Sequence, residues 1–340
     1  MSHSIRISPK IKENESCFRE VFKDCADILF HTMELGRGKT VDCFVIYLEV
    51  AVSNMILEKS VLGKFINELC KVSGDEILER VEKNALGISD AVQLDTVEDV
   101  VAGVFAGDAV FFIDGYAHAV KISEKGYPSM GVSEADREKV LRGSKEGFTD
   151  SVKTNSALIR KRIRNPGMKV KEQTIGRRSQ TKIQILYIEG LARSEILEEL
   201  ETKLSDFEID GVLDSGVIEQ LTKENWLSPF PQFQTTERPD KCAMELLNGR
   251  VVLLVDNSPV GLLIPAVFND FLQVSEDEYQ TFELATFLRV LRYLAVGCAM
   301  LFSGLYLAVT DFHTQVLPTN LILSFAKARR GVPFPGLIET

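Results

Sequence analysis

The chain has 340 residues, 45% of them apolar and 26% charged, with a net charge of −10. That length holds two ordinary domains, and the balance is globular rather than disordered. The acidic total argues against a nucleic-acid partner.

Residues 1–38 are expected to form an N-terminal helical segment. Ser16 is placed to cap a helix whose apolar positions are Phe18, Val21, Phe22, Cys25, Ile28 and Leu29, in i, i+3, i+4 order. The first 30 residues contain no charge-free apolar core, so no secretory signal is expected. "GRGKT" at 36–40 ends the helical pattern, and "VDCFVIYLEV" at 41–50 follows as a continuous β-branched and aromatic run. Such a run predicts a strand buried on both faces, in a sheet covered by helices.

Residues 39–150 are read as a first α/β lobe. Within it, "EDVVAGVFAGDAVFFIDG" at 98–115 predicts a short helix, then Gly107 as the residue that ends it, then an apolar strand, then a turn opened by Asp114. Residues 116–148 contain turn material. Between Ser151 and Lys182 stand ten Lys/Arg against one acid, Glu172. A basic surface on an acidic protein fits an anionic partner or a membrane-facing side, and a solvated helix and loop fits equally well.

Residues 151–278 are read as a second α/β lobe that repeats the first. "ILYIEGLA" at 185–192 echoes "VIYLEVAV" at 45–52, an offset of 140. "DKCAMELLNGRVVLLVDN" at 240–257 echoes 98–115, with Gly249 for Gly107 and Asp256 for Asp114, an offset of 142. Two matched segments in one order at nearly one spacing imply an internal duplication. In the second copy Ser194 is expected to cap the helix "EILEELETKL", and "SPFPQFQTTERPD" at 228–240 reads as a stiff linker.

Residues 279–340 are expected to begin a membrane domain, with a span at about 291–309. "YLAVGCAMLFSGLYLAV" at 293–309 is free of charge for 17 residues. At 1.5 Å per residue that is about 25 Å, near the lower limit for crossing a bilayer. Arg289 and Arg292 precede it as anchors that predict cytoplasmic lobes. Tyr293 and Tyr306 lie towards its ends as interfacial aromatics, and Gly297 and Gly304 suit close helix packing. The competing reading is a buried core helix of a soluble protein. "VLPTNLILSFA" at 316–326, followed by Lys327, Arg329 and Arg330, is too short to span. The ending "GVPFPGLIET" reads as a truncated membrane region.

The chemistry-bearing residues make a weak case for catalysis. Cysteines 17, 25, 43, 70, 242 and 298 include no CxxC pair and read as reduced and buried. The four histidines, 3, 31, 118 and 313, lack zinc-ligand spacing, and no GxSxG, GxGxxG or GxxxxGK[ST] occurs. No cofactor or metal is therefore expected. "LDSG" and "IDGY" place Asp214 and Asp114 in turns that such residues commonly bond themselves. Glu49 and Glu189 end apolar strands, where an acid is costly unless paired. They are read first as structural, capping a following helix or pairing with Arg177 or Arg178. A second reading lines a ligand cleft at the carboxyl ends of the strands.

Several longer stretches converge on one family. "REVFKDCADI", "GDAVFFIDGY", "RGSKEGFTDSVKTNSALIRKRI", "IGRRSQTKIQILYIEGLA", "SPFPQFQTTERPD" and "FLRVLRYLAV" stand in the order seen in A-subunits of bacterial spore germinant receptors, and the chain resembles that GerA family over roughly residues 40–338. The resemblance implies a two-part cytoplasmic region and then several membrane helices in the spore inner membrane. It implies B- and C-type partner subunits, oligomerisation of A-subunits, nutrient sensing and triggered release of ions and dipicolinate, without catalysis. Nutrient binding would fall to the B-subunit. The chain departs from the family where "GYPSMG" puts Met130 near an expected Arg, and "VSEADREKV" lacks a common Pro. Ligand or interface candidates are thus Glu49, Glu189, Asp114, Asp256, Asp214, Arg177, Arg178 and Arg238. The competing function is a soluble two-lobed module that closes on a small molecule.

Overall fold

The computed structural model describes residues 5–50, 61–82, 91–123, 134–140, 143–223, 231–274, 277 and 279–312. The turn around Met130, the residues from 313 onward and the start of the "SPFPQ" linker lie outside them. The chain divides into two units, Met1–Asp270 and Phe271–Thr340.

The first unit holds two five-stranded sheets. Helix α1 (Ile11–Val21) leads to strands β1 (Ile28–Leu35) and β2 (Val41–Leu48). Helices α2 (Val61–Cys70) and α3 (Gly74–Glu82) follow, then β3 (Ala91–Leu94), α4 (Val97–Phe105), β4 (Ala109–Ile113) and β5 (Ala119–Ile122). The second copy runs α5 (Val152–Arg160), β6 (Met168–Ile175), β7 (Thr181–Ile188), α6 (Ser194–Ser205) and α7 (Ser215–Thr222). It closes with β8 (Gln234–Thr236), α8 (Pro239–Leu247), β9 (Val251–Val255) and β10 (Gly261–Ile264). The sheet orders are β1-β2-β4-β5-β3 and β6-β7-β9-β10-β8, the same path twice. Even the register repeats, since Cys43 faces Ile113 as Ile183 faces Val255.

This is the expected α/β architecture of two similar lobes, with the refinement that every strand pair is antiparallel. The central strands still read as continuous apolar runs because both faces of each sheet are covered. Alternate residues of β2 divide between two cores. Phe44, Ile46 and Leu48 pack with Phe18, Val104 and Phe112, while Cys43, Val45 and Tyr47 pack with Leu69, Ile77 and Phe111. Strand β7 divides likewise, Leu186 towards Ile159 and Leu246, and Ile183, Ile185 and Tyr187 towards Leu204 and Ile218. The Phe44 and Phe112 rings stack 4.4 Å apart at the centre of the first core.

Gly107 and Gly249 end their helices as expected, each with a positive φ, 91° and 86°. A Cβ at Gly249 would also lie 2.8 Å from the Leu191 carbonyl oxygen.

The helical N-terminal segment is corrected in part. The helix ends at Val21, and Ile28–Leu35 is the edge strand of the first sheet. The helical spacing of Cys25, Ile28 and Leu29 was coincidence, because pairing with β2 along all eight residues wins over local periodicity. Ser16 is mid-helix, its hydroxyl donating to the Lys12 carbonyl at 2.9 Å. Ser194 begins its helix, one residue after the cap position at Arg193.

The second unit contains helix α9 (Phe282–Phe312), after a short 3-10 turn that ends at Leu272. Residues Phe282–Ala308 form a helix long and apolar enough to cross a membrane, and most of its large apolar side chains are exposed. This candidate helix includes most of the span expected at 291–309 and begins several residues before it.

Candidate functional site

Four charged residues, Asp27, Glu49, Lys153 and Arg160, join the two lobes of the first unit, and the helices that open each lobe help to place them. α1 and α5 begin alike. Asp114, beyond β4, accepts the Ile11 N–H at 3.0 Å, and Asp256, beyond β9, accepts the Val152 N–H at 3.1 Å. Each is a long-range N-cap that ties a helix start to its own sheet. One turn later, buried amides clamp the chain ahead of the helix. Asn14 accepts from the Ser8 N–H at 2.9 Å and donates to the Ser8 carbonyl at 2.7 Å. Asn155 does the same with Thr149, at 2.8 and 2.6 Å.

The last turn of α5 carries the joint. Arg160 is fully buried. Its Nε donates to Asp27 Oδ2 at 2.7 Å and its Nη2 to Asp27 Oδ1 at 3.0 Å, a two-pronged pair across the lobes. Nη1 donates to the Met168 and Asn165 carbonyls at 2.8 and 3.2 Å. The guanidinium lies 5.0 Å from the centre of the Phe105 ring. Burial alone would lower the Arg160 pKa, but the Asp27 charge and hydrogen bonds outweigh it and raise the pKa. The backbone joins at the same place. Ala26 N–H donates to the Val170 carbonyl and Val170 N–H to the Asp24 carbonyl, both at 2.9 Å, so residues 24–26 cover the edge of β6. Lys169 Nζ donates to the Lys23 carbonyl at 2.9 Å.

The repeated Tyr-x-Glu phrase feeds this joint. In each copy the Glu N–H bonds the segment before the edge strand, Glu49 to the Asp27 carbonyl at 3.0 Å and Glu189 to the Gly167 carbonyl at 2.8 Å. The side chains then diverge. Glu49 reaches Lys153 of the second lobe at 2.5 Å. Glu189 is exposed and lies 3.5 Å from Lys169. Neither pairs with Arg177 or Arg178 as suggested, and Glu189 does not cap α6. In antiparallel sheets neighbouring strands end on opposite sides, so the expected common carboxyl edge is not formed. Burial raises the pKa of Tyr47, helped by Glu49, and burial likewise raises that of Tyr187, where a Lys171 ammonium 5.6 Å from the ring opposes it.

The other candidates lie apart. Arg177 and Arg178 are exposed and face Glu208 at 3.0 Å and Asp210 at 3.7 Å. Asp214 caps α7 by accepting the Ser215 N–H at 2.7 Å. Hydrogen bonding from Ser258 leads the causes that hold its carboxyl below the ordinary value. Arg238 is buried and fastens the connector between the lobes, donating to the Glu138 and Ser144 carbonyls, both at 3.1 Å, and to Asp240 at 2.6 Å. Arg238 borders a pocket of 210 Å³, while grooves of 390 and 490 Å³ elsewhere touch none of the candidates. Among the described residues no group of three or more His, Cys, Asp or Glu could hold a metal. Cys25, Cys43 and Cys242 are buried thiols, and burial pushes Cys43 up to about 12.

In the second unit Arg292 grips Asp277 with two contacts of 2.6 Å, and Arg289 lies 3.6 Å from the same carboxylate. The Arg292 hydrogen bonds hold the Asp277 carboxyl below the ordinary value. Tyr293 and Tyr306 are exposed on α9.

Asp27, Lys153, Arg160 and the two Asn clamps were not foreseen. One signal was present. "ISPKIKEN" and "FTDSVKTN" repeat at an offset of 141, and Arg160 falls within the apolar stripe of Val152, Ile159 and Ile163.

Comparison with known proteins fits this arrangement. The family model described as Bacillus/Clostridium GerA spore germination protein matches residues 16–340. The chain belongs to the GerA family. Spore germination protein GerLA of Bacillus cereus is 36% identical over 97% of this chain and 68% of its own length. The uncharacterized membrane protein YfkQ of Bacillus subtilis is 35% identical over 98% of this chain and 64% of its own length. The chain thus spans about two thirds of these GerA relatives. The crystal structure of the N-terminal domain of the A subunit of the Bacillus megaterium spore germinant receptor GerK3 aligns with a TM-score of 0.58 and 26% identity. It covers 78% of this chain and 98% of the GerK3 domain.

Proposed function

We propose that this chain is the A-type subunit of a nutrient-sensing germinant receptor in the spore inner membrane. It acts without catalysis, beside B- and C-type subunits and further A-subunits. Its two lobes face the cytoplasm, and α9 enters the bilayer. The lobes serve assembly and pass the nutrient signal to ion release. The observation that carries this reading is the unbroken family match from the first lobe through α9, joined to a lobe pair that is fastened rather than open. We divide it into residues 39–150 and 151–278, with the N-terminal helix and edge strand belonging to the first lobe.

A two-lobed module that closes on a small molecule has less support. The facing surfaces are already taken up by Asp27, Arg160, Glu49 and Lys153, and opening them would strand a buried charge. The exposed pair Arg177 and Arg178 is the better candidate for contact with an acidic neighbour or anionic headgroups.

The test uses spores lacking the natural gene and spores carrying it with both arginines reversed to Glu. Loss of nutrient-triggered dipicolinate release in the first, and weak release despite a folded protein in the second, is expected. Normal release in the deletion strain on every nutrient mixture that triggers the parent would contradict the receptor reading.

A further inference from the structure

The two lobes are copies, yet the same place is occupied in one and open in the other. Between α1 and the first two strands lies the groove of 490 Å³, bordered by Ile11, Lys12, Glu15, Thr32, Glu34 and Asp42. The matching place in the second lobe is entered by Glu49 of the first, which pairs with Lys153, the equivalent of Lys12. The strand edges differ in the same way. Val170 of β6 exchanges two backbone hydrogen bonds with residues 24–26. Phe30 faces Ile46 as Val170 faces Leu186, but it stands on a sheet edge to which no described segment bridges.

The charges differ as well. Asp42 stands where the second lobe has Lys182, Glu34 where it has Thr174, and Glu15 where it has Ser156. Thr32 for Glu172 is the one exchange in the other direction. The place that receives a carboxylate in the second lobe is thus the more acidic one in the first. Lys182 is answered by Glu172 at 2.8 Å, and Glu15 is held by Arg19. Glu34 and Asp42, both exposed, face each other directly across β1 and β2. Like charges so opposed cost stability, which a cation between them would restore.

We infer that the edge of β1 is a docking site for an extended segment of a partner protein that carries a lysine or arginine. The segment adds a strand beside β1, as residues 24–26 do beside β6, and sets its cation against Glu34 and Asp42. The register that turns the Val170 N–H outward turns those of Phe30, Thr32 and Glu34 outward too, and these donate to the added strand. The site lies wholly within the first unit, so it stands or falls apart from the receptor reading.

The probe is a short capped peptide of alternating Thr and Val with one central Lys, beside a twin with Glu in that place. Each is added to the full chain in lipid nanodiscs, and amide exchange in Ile28–Leu35 is followed by mass spectrometry. The Lys peptide should slow exchange at least about fivefold more than the Glu peptide, the effect of one ion pair gained and one repulsion avoided. Asp42→Lys with Glu34→Thr gives the first lobe the residues that the second already folds with, and should reverse that order. Equal protection by both peptides would overturn the preference for a cation, as would a preference for Lys that survives the double change. No protection by either would overturn the site and leave the acids only to keep the edge from pairing. Slow exchange in the chain alone that quickens on dilution would put a second copy there and overturn the separate partner.

Discussion

Helices α1 and α5 occupy the same place in two copies of one fold, yet the same position in each does different work. Arg19 and Arg160 stand at an offset of 141, as do Asn14 and Asn155. Arg19 lies on the surface, bonded to Glu15 one turn back at 2.7 Å. Arg160 is fully buried and holds Asp27 of the other lobe. The duplicated lobe keeps what folds it, namely the register, the Asn clamps and the long-range Asp caps. It varies what joins it to its neighbour. In a repeated fold, the difference between equivalent residues therefore points to the joint.

Replacing one arginine at a time sharpens this contrast most. Arg160→Ala should destabilise the first unit by about 3–5 kcal/mol, because Asp27 is left buried and unpaired. Arg19→Ala should cost at most about 1 kcal/mol, as exposed ion pairs do. Urea unfolding of both variants checks the pair, and equal losses would break the comparison.

The clamps should behave in the opposite way, as equals. Asn14→Ala and Asn155→Ala each remove an amide that bonds both the N–H and the carbonyl of one residue. Each should cost about 1–3 kcal/mol, and unequal losses would mean that the copies have diverged in folding as well as in joining.

Acid gives a smaller effect with a definite direction. Burial would raise the pKa of Glu146 and Glu172, but hydrogen bonds from Lys161 and Arg162, and from Lys182 and Gln184, outweigh it and lower both below 4.5. A lowered carboxyl binds its proton more weakly when folded. Its stabilisation is complete above about 4.5 and is lost as pH falls through the folded value. Amide exchange in β6 and β7 should rise before that in β1 and β2 as pH falls below 4.5. The reverse order would contradict this.

Much of the fold was legible because the central strands are coated on both faces, so their apolar runs survive without alternation. Gly107 and Gly249 marked helix ends for the same reason in each copy, the need for positive φ. The edge strand Ile28–Leu35 was not legible. Half-exposed, with His31 and Thr32 outward, it has an apolar run of only Ile28–Phe30, and its leading residues fell into helical spacing. The joint was harder still. Asp27 and Arg160 are 133 residues apart, and local pattern carries no trace of a partner at that distance. Glu49 and Glu189 drew notice as repeated acids, but only three-dimensional contact separates the one that reaches Lys153 from the one that remains on the surface. Glu49→Gln should therefore cost about 1 kcal/mol or less and Glu189→Gln less than that, measured in the same urea series.

The most direct measurement is a double-mutant cycle on Asp27 and Arg160, in residues 1–270, close to the extent crystallised for the GerK3 A subunit. Asp27→Leu, Arg160→Met and the double variant would be unfolded in urea beside the parent. If the lobes are joined here, each single change destabilises strongly and the double change recovers most of the loss, a coupling of about 2 kcal/mol or more. Additive losses, with two separate unfolding transitions in the parent, would mean that the lobes stand independently and that the joint is not what holds the first unit together.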